Sequence, residues 1–198
     1  MNIQKEFPEE ISMENHTLNS NSSCSPQNNH CEIPECAGRE PYPPVCVCGQ
    51  NCAYGRMMLD NVGGRNSEMS AVSLYIYNHL ILLDDCFSAE IFHRISIVEM
   101  HHLEIFAELA QLLGENPRLW THKGCAMTYW SPSYNCYSQN INMLLKNAIT
   151  GEQQAIDKYT HQCAVIKDDH IVKCLKRIII DEQIHIDLFK QMYMKYCC

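Results

Sequence analysis

Two copies of a four-residue motif, Glu-x-x-His, interrupt otherwise apolar stretches of the chain. The first runs from Glu99 to His102 and the second from Glu182 to His185. On an α-helix, residues three positions apart lie on the same face, about 4.5 Å apart along the axis. Each motif would therefore direct one carboxylate and one imidazole towards the same ion.

Two further glutamates stand in sequence patterns that resemble each other. Glu68 and Glu152 are each followed by an aliphatic residue at position +4 and by a tyrosine, Tyr75 or Tyr159, at position +7. These glutamates are 84 residues apart, and the two Glu-x-x-His motifs are 83 residues apart. The chain thus contains a degenerate repeat of one helical hairpin, in which each half supplies a glutamate and then a Glu-x-x-His motif.

Four carboxylates and two imidazoles on inward helix faces form the donor set of a two-metal carboxylate site. An unpaired buried carboxylate costs on the order of several kcal/mol, and adjacent carboxylates also repel one another. Two divalent cations would cancel that charge, and oxygen and nitrogen donors suit iron or manganese, with zinc less favoured. The sequence therefore predicts two metal ions with six ligands: Glu68, Glu99, His102, Glu152, Glu182 and His185.

A third Glu-x-x-His motif provides an internal comparison. Glu90 and His93 have the same spacing, but Glu90 precedes Glu99 by nine residues and so falls on the opposite side of the helix. It would also lie in the first helical turn, where a carboxylate complements the helix dipole. We therefore expect Glu90 and His93 to lie outside the metal site.

Four segments with apolar residues at three- and four-residue intervals predict the helices that position these ligands. They cover about residues 66–84, 89–113, 139–165 and 169–195. Ser88 and Ser138 are expected to cap the second and third helices, and Asp168 or Asp169 the fourth. On the first helix, the apolar pattern predicts a buried side formed by Met69, Val72, Ile76, Leu80 and Leu83.

The connection between the second and third helices, about residues 114–138, is long and carries five large aromatic residues. An extended segment of this length spans up to roughly 80 Å and can cross a bundle lengthwise. The short connections within each half force antiparallel hairpins. The sequence thus predicts an all-α four-helix bundle with one long crossover that packs against it. The rival interpretation is an up-and-down bundle with a disordered loop.

Residues 1–62 differ from the rest in composition. They contain six of the eight prolines and six of the 13 cysteines, and their apolar residues follow no period. This predicts a largely unstructured tail before a bundle of residues 63–198. The spacing Cys46-x-Cys48-x3-Cys52 is not that of a zinc finger. Soft-metal binding, thiol relay, chain cross-linking and plain reactive thiols all stay open for this tail.

Charge and hydropathy exclude other classes of function. The net charge of −8 argues against binding of nucleic acid, and no apolar stretch approaches the roughly 20 residues of a membrane helix. The first residues lack the apolar core of a secretory signal. We expect a soluble, cytoplasmic protein, whose odd number of cysteines prevents complete internal pairing.

Residues from about 63 to 198 resemble the ferritin-like superfamily, which includes rubrerythrins, bacterioferritins and manganese catalases. The matching residues are Glu68, Glu99-Met100-His101-His102, Glu152 and Glu182-Gln183-Ile184-His185, and they cover all four predicted helices. Rubrerythrins commonly add a domain with Cys-x-x-Cys motifs, and this chain has none. Their additional carboxylate on the third helix is also missing, since positions 149 and 155 are Ile and Ala.

The resemblance implies a di-iron or di-manganese oxidoreductase that consumes hydrogen peroxide or dioxygen, as a peroxidase, a ferroxidase or a catalase. It also implies a catalytic role for Tyr75, a homo-oligomer and, for a peroxidase, an electron donor protein. Tyr159 and Asp181 are expected next to the ligands, where they would orient them by hydrogen bonds. The alternative is a non-catalytic metal-binding structural protein that is cross-linked through its cysteines, for example in a spore coat layer.

Overall fold

The structure, a computed structural model, describes residues 33–124 and 126–197. The elements in these residues confirm a mainly helical bundle with one long crossover, and the predicted four helices correspond to α2–α5 below. In chain order the elements are α1 (Cys52–Gly63), α2 (Glu68–Ile81), α3 (Cys86–Leu112), β1 (Trp120–Lys123), β2 (Ala126–Tyr129), a 3₁₀ turn (Pro132–Tyr134), α4 (Ile141–Val165) and α5 (Asp169–Cys197).

Side chains cap the starts of the three helices for which the sequence predicted a cap. Asp85, rather than the predicted Ser88, caps α3, and Asn140, rather than Ser138, caps α4. In both cases a carboxylate or amide oxygen accepts a free backbone N–H of the first turn. Helix α3 therefore begins three residues earlier than predicted, and α4 begins two residues later. Asp168 precedes α5 as predicted, and its Oδ1 accepts the backbone N–H of His170 at 3.0 Å.

Residues 33–62 are ordered, so the prediction of an unstructured tail is wrong for them. Helix α1 buries Met58, Leu59 and Val62 completely or nearly so in the apolar core. The composition of residues 1–62 averages two different stretches, because all six of their prolines lie at or before Pro44 and α1 begins only at Cys52. The part of the predicted tail before residue 33 lies outside the described residues.

Helices α1 and α2 both pack against α3. Helix α3 has 27 residues and is therefore about 40 Å long, whereas α2 has only 14 residues and is about 21 Å long. The break between α1 and α2 falls at Gly63 and Gly64. A Cβ on Gly63 would lie 2.4 Å from the backbone nitrogen of Trp120, so strand β1 can approach only because this residue is glycine.

The crossover packs against the bundle, as its aromatic residues indicated. The indole N–H of Trp130 donates to Ser70 Oγ at 2.9 Å, and the Asn135 amide donates to Ser73 Oγ at 2.7 Å. The crossover also contains an antiparallel hairpin of β1 and β2 that the sequence analysis did not predict. Gly124, with a φ of +63°, starts its turn.

The predicted buried side of the first helix is wrong in most positions. Ile76, Leu80 and Leu83 are 41%, 55% and 56% exposed, and Met69 is only partly buried. The side of α2 that faces the bundle instead carries Glu68, Ser70, Val72, Tyr75 and Asn78. The apolar period misled here because polar residues occupy the interior of the bundle at this level.

Two apolar clusters fill the bundle, one towards each end. On α3, Ile95 belongs to one cluster and Phe106 to the other; on α5, Phe189 and Ile178 are divided in the same way. The Glu-x-x-His motifs lie between these residues on both helices. Among the described residues, no helix is long and apolar enough to span a membrane.

Candidate metal centre

The structure brings all six predicted ligands together, fully or almost fully buried, between the two apolar clusters. Their donor atoms form two overlapping groups, and the atoms within each group lie within 4.8 Å of one another. One group combines Glu68 and His102, and the other combines Glu152 and His185; Glu99 and Glu182 belong to both. This is the arrangement of two adjacent ion positions with two shared carboxylates.

Each helix of the bundle contributes what its sequence pattern predicted. On α3, His102 Nδ1 lies 3.2 Å from Glu99 Oε2, and on α5, His185 Nδ1 lies 3.1 Å from Glu182 Oε2. The same nitrogens also face the carboxylate of the other helix, at 2.9 Å for His185 and Glu99 and at 3.4 Å for His102 and Glu182. Both Nδ1 atoms therefore point at the shared carboxylates.

Two tyrosines cross from one helical hairpin to the acid of the other. Tyr75 on α2 donates its hydroxyl hydrogen bond to Glu152 Oε1 at 2.5 Å, and Tyr159 on α4 donates to Glu68 Oε1. Burial raises the pKa of both phenols well above 10, and the neighbouring carboxylates raise it further. Both hydroxyls therefore stay protonated and act as donors.

The far nitrogen of each histidine has a different partner. His102 Nε2 lies 3.1 Å from Asp181 Oδ2, whereas His185 Nε2 lies 2.9 Å from the backbone oxygen of Cys36. An ionised carboxylate and a carbonyl oxygen can only accept, so both Nε2 atoms carry a proton and donate it. This fixes the tautomer in which Nδ1 offers its lone pair to a cation.

We call residues 33–48 the strap. Asp181 joins the strap to the centre through a network of hydrogen bonds. Its Oδ1 accepts from the backbone N–H of Gly38 at 2.7 Å and from Arg177 at 2.5 Å, and its Oδ2 accepts from the Tyr42 hydroxyl at 2.5 Å. Burial works to raise the pKa of Asp181, but the hydrogen bonds from His102 and Arg177 outweigh it and hold that pKa well below its usual range.

Arg177 also holds the strap directly. Its guanidinium donates to the backbone oxygens of Gly38 at 2.7 Å and Glu40 at 2.6 Å, and it lies 4.2 Å from the centre of the Tyr42 ring. Burial, together with the hydrogen bond to Asp181, raises the pKa of Tyr42 to about 12. The strap therefore covers the outer side of His102 and His185 with a fixed set of polar contacts.

Without a cation, protons must compensate the charge of the cluster. Burial raises the pKa of Glu68 and Glu152 well above the usual range, and the charges of Glu99 and Glu182 raise it further. Burial lowers the pKa of His102 and His185, but the surrounding carboxylates outweigh it, so both are raised well above 6.5. These groups are held ready to exchange protons for metal ions.

The residues fit a two-ion centre on the chemistry of their donors. Glu99 Oε1 and Glu182 Oε1 are buried and face His185 Nδ1 at 2.9 Å and His102 Nδ1 at 3.4 Å. In the tautomer that the Nε2 contacts fix, these nitrogens carry no proton and donate nothing to the two oxygens. These are oxygens of the two carboxylates that both donor groups share, where a bound cation would satisfy them.

A cavity of about 300 Å³ leads to this cluster between α2 and α4. Glu68, Tyr75, Glu152 and Tyr159 line its inner part. Residues of the crossover, Tyr134, Asn135 and Cys136, line its outer part. The cavity is large enough for a small polar molecule. It reaches Glu68 and Glu152, the two carboxylates that are not shared between the donor groups.

Sequence reasoning also separated the third Glu-x-x-His motif from the site. Glu90 is partly exposed and pairs with Arg94 at 2.7 Å on the outer side of α3. The sequence-based prediction did not include the strap or Arg177. The four-residue spacing of Arg177 and Asp181 on one helix was a signal for the ion pair, but no side-chain pattern could have indicated the Cys36 carbonyl.

Comparisons with known proteins agree with this geometry. Residues 66–193 match the rubrerythrin family model. A probable manganese catalase from Clostridium acetobutylicum is 24% identical over an alignment of 172 positions, which covers 76% of this chain and 75% of that protein.

Two crystal structures of KatB, a manganese catalase from Anabaena, have the same fold. Both superpose with a TM-score of 0.72 at 19% sequence identity. The superpositions cover 81% and 80% of this chain and 80% and 78% of the KatB chains. These relatives favour an enzyme over the structural alternative. Since the family match includes all four bundle helices and every predicted ligand, the chain belongs to the rubrerythrin family, in the ferritin-like class of two-metal carboxylate proteins.

Proposed function

We propose that this protein is a catalase-like oxidoreductase that converts hydrogen peroxide into water and dioxygen at a pair of manganese ions. The observation that carries this proposal is the sharing of Glu99 and Glu182 by the two donor groups. Shared carboxylates hold two ions side by side. Glu68, Glu99, His102, Glu152, Glu182 and His185 would hold such a pair, and the bound ions would supply the two-electron redox chemistry by which one peroxide is reduced to water while a second is oxidised to dioxygen.

Manganese is proposed because two relatives are named as manganese catalases. The donor set itself suits iron as well, since hard carboxylate oxygens and imidazole nitrogens bind both metals. Glu99 and Glu182 would bind both ions, Glu68 and His102 would complete one shell, and Glu152 and His185 would complete the other.

The remaining contacts would keep these ligands in place during turnover. The hydroxyl of Tyr75 holds one oxygen of Glu152, and that of Tyr159 holds one oxygen of Glu68. Tyr75 also lines the cavity, so its hydroxyl oxygen would accept a hydrogen bond from entering peroxide while its proton stays on the bond to Glu152. The apolar clusters on both sides limit access of bulk water to the centre.

We favour a catalase over a peroxidase or a ferroxidase because of what each reaction requires. Peroxide serves as both oxidant and reductant in the catalase reaction, so no separate electron donor is required. The cavity described above admits small molecules, and it ends at Glu68 and Glu152. We therefore place peroxide, rather than a protein partner, at this cavity.

Oxygen release from hydrogen peroxide, measured with an oxygen electrode on manganese-loaded protein without any donor, tests the proposal. We expect one dioxygen for every two peroxides. Glu99→Gln should lower the rate by more than the roughly 10- to 100-fold that loss of an outer hydrogen-bond partner costs. Glu90→Gln changes the same motif on the exposed side of α3 and should leave the rate unchanged.

Three other results would contradict the proposal. Peroxide consumption that depends on an added thiol or electron donor would identify a peroxidase. Stoichiometric oxidation of Fe(II) without peroxide turnover would identify a ferroxidase. Protein that binds no manganese or iron, or keeps full activity in Glu99→Gln, would remove the cluster from the chemistry.

A further inference from the structure

The two halves of the candidate centre are close copies of each other up to the Nδ1 atoms of the histidines. Glu68 and Glu152 correspond in the repeat, and each accepts a hydrogen bond from the tyrosine of the other half. Each donor group contains one of these glutamates, one histidine and the same two shared carboxylates. On these contacts alone, the two ion positions would be equivalent.

The two halves differ in the groups that contact the Nε2 atoms of the histidines. Asp181 supports His102 with a carboxylate at 3.1 Å. The residue 83 positions earlier, which would support His185 in the same way, is Val98. The strap supplies the missing acceptor instead, because the Cys36 carbonyl lies 2.9 Å from His185 Nε2 and Val98 lines the same groove as Cys36.

These two acceptors differ in charge. A carboxylate that accepts from an imidazole N–H increases the electron density on the other ring nitrogen more than a neutral carbonyl does, and loss of such a partner typically costs about 10- to 100-fold in metal affinity. Arg177 donates a hydrogen bond to Oδ1 of Asp181, whereas His102 donates to Oδ2. Part of the negative charge is therefore shared with Arg177, which favours the lower end of that range.

We infer that the two ion positions are inequivalent and that the position bounded by Glu68 and His102 binds its divalent ion about 10-fold more tightly than the position bounded by Glu152 and His185. This inference rests on the two-ion centre of the proposed function. It assigns Asp181 and the strap as positioning groups that make loading sequential: the His102 position fills first.

Titration of metal-free protein with Mn(II) tests the inference, with free Mn(II) followed by its electron paramagnetic resonance signal. We expect two binding steps separated by about 10-fold. Asp181→Asn should weaken the first step by about the same factor, so that the two steps merge. Asp187→Asn changes an exposed carboxylate on the same helix and should change neither step.

Two ligand variants identify which position fills first and do not depend on the stability of Asp181→Asn. Glu152→Gln should keep the tight step and lose the weak one, and Glu68→Gln should do the reverse. Two equal sites in the unmodified protein, or a tight step that survives only in Glu68→Gln, would overturn the inference while leaving the proposed function intact. Failure to bind two Mn(II) ions at all would instead contradict the proposed function.

Discussion

At the scale of single residues, the centre is held by hydroxyl groups that reach across the bundle. Tyr75 and Tyr159 each join the two helical hairpins, because the donor is on one hairpin and the accepting glutamate is on the other. A phenol that donates to one carboxylate oxygen leaves the second oxygen to face the cluster. The tyrosines therefore set the direction of the two carboxylates that the cavity reaches.

Replacing Tyr75 by phenylalanine removes only the hydrogen bond to Glu152. We expect peroxide turnover to fall by about 10-fold or more while the metal content stays close to two ions, since the six ligands remain. Tyr77→Phe, on the same helix but packed against Tyr137, is the matched control and should retain full turnover. Equal rates for both variants would show that the Tyr75 hydroxyl has no part in the reaction.

The candidate ligands of the two Glu-x-x-His motifs could be predicted from the sequence because each is a polar interruption of an apolar helical face, and Glu68 and Glu152 because their surroundings repeat along the chain. Helical periodicity places such residues in the interior whatever the tertiary details are. The partners behind them follow no such rule. Asp181 was adjacent to a ligand and could be suspected, whereas Gly38 and Cys36 act through backbone atoms, which every residue possesses.

At the scale of elements, the break between α1 and α2 lets two separate helices pack against the single long helix α3. Gly63 ends α1 where β1 of the crossover passes closest, and Gly64 follows in an extended conformation. A side chain at position 63 would separate the crossover from α1. The hydrogen bond between Thr121 and Asp60, at 2.9 Å, would be strained by that separation.

Gly63→Ala should destabilise the protein by about 1–3 kcal/mol, the usual cost of an extra methyl group in a packed position. Gly151→Ala is the matched comparison, since no atom lies within 4 Å of its added Cβ in the interior of α4. That change should stabilise the protein by about 0.5–1 kcal/mol through helix propensity. Urea unfolding of both variants measures the difference, and an equal effect of the two would contradict the close approach of β1.

The elements themselves were predictable to different degrees. Long helices with caps and apolar periods were placed within a few residues of their true ends. The 12-residue α1 was missed because its three core residues follow a proline-rich stretch that dominates the local composition. The buried face of α2 was misplaced because it carries polar residues, which the apolar period ignores.

At the scale of the whole molecule, the core is divided by a layer of ionisable groups. An interior of this kind is stable only when its charges are compensated, either by protons or by cations. Cations compensate better here, because a cation can bind the shared carboxylate oxygens together with the Nδ1 atoms of His185 and His102 that face them. We therefore expect folding and metal binding to be coupled.

Removing the metal with a chelator should therefore lower the unfolding temperature. For one ion at a free concentration 100-fold above its dissociation constant, linkage gives about 2.7 kcal/mol of added stability. Calorimetry of metal-loaded and metal-free protein measures the effect. The Glu99→Gln variant, which lacks one shared carboxylate, should gain less from manganese; identical unfolding with and without metal would contradict the coupling.

The fold also sorts the cysteines by reactivity. Cys86 and Cys136 are exposed, whereas Cys36 and Cys174 are buried, and burial raises the pKa of Cys174 to about 11. At neutral pH the thiolate of Cys174 is scarce, and reagents cannot reach it. Maleimide labelling of the native protein, mapped by mass spectrometry, should modify Cys86 and Cys136 within minutes and Cys174 only after unfolding. Early labelling of Cys174 would contradict its packing.

The hydrogen bond between His185 and the Cys36 carbonyl joins positions 149 residues apart in the chain. During translation, the strap leaves the ribosome long before the residues that hold it, since Arg177, Asp181 and His185 all lie in α5. A nascent chain that has reached α4 contains half of the repeat and part of the other half. It still lacks the α5 side chains that bind the strap, and it has only one Glu-x-x-His motif at the centre. The candidate centre can therefore assemble only after α5 has been synthesised and has docked against the other helices.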